Sequence, residues 1–141
     1  MTEFKKYFKD QEKLIFLQAL CCVLAKRGRL SKANDEYMRK QAEEIGFDFD
    51  KLETAQKLKK PEDIARELNK IKDIRMKRFI VREMVMLAVA DHEICDQEML
   101  DLYKIGREIG IKEEKVNDFF LWAAEGIEWQ MKGTQLVKDD I

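Results

Sequence analysis

Hydrophobic positions along this chain fall into two kinds of segment. Leu14 to Ala25 and Ile80 to Ala90 are apolar nearly all round, as in a helix buried centrally. Elsewhere the apolar residues recur every three or four positions, the period of an amphipathic helix. Tyr37, Met38, Gln41 and Ile45 trace one such stripe, and Val116, Phe119, Phe120, Ala123, Ile127 and Met131 trace another. The pattern predicts an all-α chain of about seven helices, over residues 10–26, 32–45, 50–59, 61–72, 74–90, 96–109 and 113–132.

Punctuation agrees with these spans. Gly28 ends the first helix and Ser31 stands where an N-cap belongs. Gly46 and Gly110 sit where a left-handed residue closes a helix. Pro61 opens the fourth, at a position whose N–H would be unpaired anyway. Glu62 and Asp63 follow in its first turn, where the helix dipole favours acids. Asp91 to Cys95 is a short loop, and the tail from Gly133 to Ile141 reads as frayed. Residues 1–132 then form a single helical domain.

The sequence also overlies itself at a shift of 64 residues, with Phe16 to Leu52 lying over Ile80 to Val116. Leu20 meets Met84, Val23 meets Leu87, Leu30 meets Ile94 and Met38 meets Leu102. Glu44-Ile45-Gly46 meets Glu108-Ile109-Gly110, and Lys40 and Lys51 meet Lys104 and Lys115. Each unit reads as buried helix, short loop, amphipathic helix and glycine stop. Two pseudo-repeated hairpins of this kind can close one core by packing their apolar helices together.

Composition narrows the class further. The chain has 141 residues, 27 Lys plus Arg and 28 Asp plus Glu, for a net charge of −1. That balance excludes bulk electrostatic attraction to nucleic acid. With 45% hydrophobic and 39% charged residues, the chain fits a folded core under a charged surface. Met1 to Asp10 is charged and carries no apolar run, so no signal peptide is expected. Leu14 to Ala25, the longest apolar stretch, has 12 residues against the ~20 that span a bilayer. This is not expected to be an integral membrane protein. Cys21, Cys22 and Cys95 form no CxxC, which fits a reduced, cytoplasmic setting.

Ala90, Asp91, Glu93, Ile94 and Glu98 follow an apolar helix in the order A-D-G-x-I-x-x-x-E, with His92 in place of the glycine. This motif resembles the mark of the TerB-like family. That family is named for a tellurite-resistance protein, and its helical domain also forms the N-terminal part of the membrane-anchored co-chaperone DjlA. In the first unit Gly28 and Leu30 keep the glycine and the aliphatic, while Lys26 and Arg27 replace Ala-Asp. The resemblance covers about Gln11 to Met131. It implies a seven-helix fold with internal pseudo-symmetry and a protein-association role in tellurite or metal stress, without enzymatic activity. The partners it implies are other proteins, including membrane-associated complexes.

The residues themselves offer three candidate sites. Asp91, Glu93, Asp96 and Glu98 cluster around one turn, a set of oxygen ligands suited to Ca²⁺ or Mg²⁺. The spacing is not that of an EF-hand, since Asp96 and Leu102 fall at the sixth and twelfth positions. The alternative role for these acids is to cap the next helix and complement its dipole. His92 and Cys95 lie in the same loop but lack an orienting third group and an oxyanion site, so no enzyme is expected. Cys21 and Cys22 read as small core side chains.

Trp122 and Trp129, seven residues apart with Gly126 between them, share a helix face. That face is turned about 100° from the core stripe. It would suit a protein partner or self-association as a homo-oligomer. The alternative is that Phe4, Tyr7 and Phe8 cover it. Finally, residues 57–82 carry ten bases against four acids, and residues 91–128 carry eleven acids against four bases. The basic stretch could face an anionic membrane surface or an acidic partner, be solvated, or pair with the acidic half.

Overall fold

The computed structural model describes residues 2–24, 32–52, 60–90 and 96–139. Among them the chain is all-helical, with six helices and no strand. These are α1 (Asp10–Leu24), α2 (Lys32–Glu44), α3 (Pro61–Leu68), α4 (Ile74–Ala90), α5 (Asp96–Glu108) and α6 (Glu113–Lys138). A single helical turn, Thr2–Lys5, precedes α1, and a 3-10 turn, Phe49–Lys51, follows α2. The helix expected over 50–59 is described only in this 3-10 turn, because residues 53–59 lie outside the described set. So do Gly28 and the expected N-cap Ser31.

Helices α1 and α4 pack on each other at the centre. Helices α2 and α3 lie against α1, while α5 and α6 lie against α4, and α3 meets α5. This placement explains the apolar runs. Ile15 to Cys21 are seven consecutive buried residues, including Gln18, because α1 has neighbours on several sides. On α4 the buried set is Met76, Phe79, Ile80, Val81, Met84, Val85 and Ala88. Each fully buried side chain of this size contributes roughly 1.5–3 kcal/mol relative to exposure.

The element boundaries repeat. Helices α4 and α5 start 64 residues after α1 and α2, and α5 ends 64 residues after α2. Burial repeats as well: Phe16 and Ile80, Leu20 and Met84, Met38 and Leu102, Ile45 and Ile109, and Leu52 and Val116 are all buried. The helix ends match bond for bond. Phe47 N–H donates to the Ala42 carbonyl at 2.8 Å and Gly46 N–H to Glu43 at 3.1 Å. Ile111 N–H donates to Gly106 at 2.8 Å and Gly110 N–H to Arg107 at 3.3 Å. Both are Schellman closures. They need a left-handed residue, and φ is +73° at Gly46 and +86° at Gly110.

Phe4 and Phe8 of the N-terminal segment pack against the core. Phe4 stacks on Phe79 with ring centroids 5.3 Å apart, and Phe8 stacks on Phe16 at 5.1 Å. Lys5 Nζ donates to Gln41 Oε1 at 3.0 Å and pairs with Glu44 at 2.7 Å, which ties the segment to α2.

Helix α6 differs most from expectation. It runs through Gly133 to Lys138, where the sequence suggested a frayed tail from Gly133. Gly133 does not take the left-handed conformation that stops α2 and α5. The last buried residue of α6 is Ala123, and every residue from 128 to 139 is exposed. The core stripe therefore outruns the body: Met131 is 65% exposed.

Candidate functional site

Of the four acids expected at the turn before α5, Asp91 and Glu93 lie outside the described residues, as do His92 and Cys95. Asp96 and Glu98 occupy the first turn of α5, Asp96 exposed and Glu98 half-buried. Carboxylates there meet the positive end of the helix dipole. Among the described residues no group of three or more His, Cys, Asp or Glu side chains converges as a metal site would require.

The two cysteines of α1 are held away from chemistry. Cys21 is buried and Cys22 half-buried. Burial pushes the Cys22 thiol up to about 12 from its usual 9.0, and the charges of Asp101, Glu62 and Asp63 push the same way. A thiol at that value carries little thiolate near neutrality.

The tryptophan face is exposed. Trp122 is 45% exposed and Trp129 77%, with Leu136 at 75% and Val137 at 86% beyond them. Phe4 and Phe8, which could have covered this face, stack on Phe79 and Phe16 instead. Gly126 lies between the tryptophans, and a Cβ added there would meet nothing within 4 Å. Trp122 alone is engaged by the body, through the Arg82 guanidinium 5.0 Å from its ring centroid.

Arg82 belongs to a feature that helical spacing alone does not reveal. Its guanidinium also stacks 5.2 Å from the Phe79 centroid. Among the described residues its ion pair is to Glu83, at 3.4 Å. Its Nε is buried with no hydrogen-bond partner among the described residues. An orphan donor of this sort costs roughly 1–3 kcal/mol. Arg82 lines a cleft of about 200 Å³ together with Phe4, Arg75, Arg78, Phe79, Lys115 and Phe119. Arg75, Arg78 and Arg82 follow the i, i+3, i+7 spacing that aligns side chains on one helical face. That spacing was the available signal; which residues of α6 would face it was not.

The basic stretch carries local ion pairs. Its cations pair with acids close in sequence: Arg66 with Asp63, Lys70 with Glu67 at 2.9 Å, and Arg75 with Asp73 at 3.6 Å. No protein-family model, curated protein or solved structure matches the chain.

Proposed function

We propose that this chain is a non-enzymatic protein-association module of TerB-like architecture, acting in tellurite or metal stress, and that its docking element is the projecting half of α6. The observation that carries the reading is the uncovered apolar seam of that helix. Trp122, Gly126, Trp129, Gly133 and Leu136 are spaced four and three residues apart in alternation, the spacing of a coiled-coil seam. The repeated helix boundaries and paired Schellman closures support the two-hairpin architecture of that family.

The seam fits a helix, and the chain's own α6 has the required complementarity. Large and glycine positions alternate along it. An antiparallel second copy sets Trp129 opposite Gly133 and Leu136 opposite Gly126. Glu125 and Glu128 precede Lys132 and Lys138 on the same stretch, so antiparallel pairing also brings acids towards bases. Such a contact is isologous and closes as a dimer.

Sedimentation velocity from low to high micromolar concentration tests this. The expected result is a reversible monomer–dimer equilibrium, abolished by Trp129→Ser with Leu136→Ser while the circular dichroism of the core is kept. A wild-type chain that stays monomeric throughout overturns the homotypic pairing. The cation reading of Asp91, Glu93, Asp96 and Glu98 rests on sequence spacing and is tested separately by thermal melts.

A further inference from the structure

We propose that the cleft bounded by the N-terminal turn, α4 and the start of α6 is a binding site for a phosphate monoester joined to an apolar group. Arg75, Arg78 and Arg82 on α4 and Lys115 on α6 supply four cations around a floor of Phe4, Phe79 and Phe119. Two of these cations have an acid partner, and Glu114 and Asp118 flank Lys115 along its helix. Asp73 lies 3.6 Å from Arg75, and Glu83 lies 3.4 Å from Arg82. Arg78 and Lys115 make no ion pair with any described residue, and both are exposed. The charged side chains that line the cleft are thus all cations, a lining that an incoming anion would complement.

The shape specifies the ligand further. Arg82 is positioned in advance: its guanidinium stacks on the rings of Phe79 and Trp122 at 5.2 and 5.0 Å, and its side chain is only 17% exposed. A guanidinium fixed on aromatic faces loses little freedom when it meets an oxyanion. Several guanidinium forks and an ammonium match a group with three terminal oxygens and up to two charges better than a single carboxylate. The phenyl floor favours an apolar substituent next to that group. A volume of about 200 Å³ holds the head of a ligand and not a drug-sized body, so the remainder extends outside. A soluble organic phosphate and the phosphomonoester head of an anionic lipid share this chemistry.

The test uses the full chain carrying Trp129→Phe, which leaves Trp122 as the sole tryptophan beside Arg82. Phenyl phosphate is titrated at low salt by calorimetry and Trp122 emission. Vesicles of phosphatidylcholine with phosphatidic acid are tested by co-sedimentation. Arg78→Glu with Lys115→Glu reverses two exposed, unpaired cations, and circular dichroism checks that the helices are kept. Lys40→Glu, on α2, is the control for bulk charge. Saturable binding of phenyl phosphate that falls at least tenfold in the double variant, and less than twofold in Lys40→Glu, supports the site with a soluble ester as ligand. The same variant pattern with vesicles alone supports it with a lipid head as ligand. No saturable response to either probe, or equal losses in the double variant and Lys40→Glu, overturns the proposal.

Discussion

The same substitution, glycine to alanine, has opposite expected consequences at two positions. At Gly106 an added Cβ would stand 2.8 Å from Val116 Cγ2, with the Ile111 carbonyl oxygen at 3.7 Å. Val116 is fully buried and its short branched side chain has little freedom to move. Gly106 is therefore what lets α5 approach the start of α6. Alanine gains about 1 kcal/mol of helix propensity and loses roughly 1–3 kcal/mol to overpacking. Gly106→Ala is expected to lower global stability by about 1 kcal/mol and Tm by roughly 3 °C. At Gly126 there is nothing within 4 Å, so the propensity gain stands alone. Ala123 is the last buried residue of α6, so the helix beyond it opens separately from the core. The gain should appear as about fivefold slower amide exchange over residues 127–138, from about 1 kcal/mol of added helix stability, with little change in Tm. Gly126→Ala should also weaken self-association, because the new methyl fills the space opposite Leu136 of a second copy. Amide-exchange mass spectrometry at low concentration, thermal melts and sedimentation read the three effects. A Gly106→Ala chain more stable than wild type would refute the packing argument. Unchanged exchange past residue 126 in Gly126→Ala would refute the independent opening of α6.

The remaining predictions concern other elements. Phe79 is 3% exposed and sits against Phe4, Phe8 and Phe16 at 5.3, 6.0 and 6.0 Å; Phe79→Ala should cost about 3–5 kcal/mol in chemical denaturation. Cys22 stays protonated in the folded chain up to about 12, against 9.0 ordinarily. Unfolding therefore releases a proton between these values, and stability falls as pH rises through that window. Melts from pH 8 upwards should show a shallower decline in Cys22→Ala than in wild type. With Cys95 replaced by Ser, the native chain should react with a thiol reagent at neutral pH more slowly than the unfolded chain does. A cation held at Asp91 to Glu98 predicts a Tm rise of roughly 5–10 °C for Ca²⁺ or Mg²⁺ at about 100 times Kd, lost in Glu93→Gln with Glu98→Gln. No shift with either ion would leave Asp96 and Glu98 as helix-dipole partners.

What the sequence announced and what it concealed separate along physical lines. Gly46 and Gly110 were legible because a helix stop needs a backbone conformation that glycine alone adopts cheaply. Their positive φ values, +73° and +86°, bear out both. Pro61 was legible because its ring fixes a first-turn geometry, and it opens α3. The shift of 64 residues was legible because buried positions tolerate only apolar side chains, so that segments with matching buried positions share a pattern. Gly133 misled for the converse reason: glycine permits a stop without requiring one, and α6 passes through it. The α6 stripe revealed a face but not where the body ends. Periodicity records which residues align, whereas exposure of Met131 or Trp129 depends on whether a neighbouring helix is long enough to reach them. The cleft was concealed by the same limit. Arg75, Arg78 and Arg82 share a face by local spacing, yet Phe4 and Lys115 join them only through helix packing across distant parts of the chain. A charge count over 57–82 recorded the cations and missed that three phenyl rings stand among them. The chemistry of that cleft is a property of the junction between α4, α6 and the N-terminal turn, and no single segment carries it.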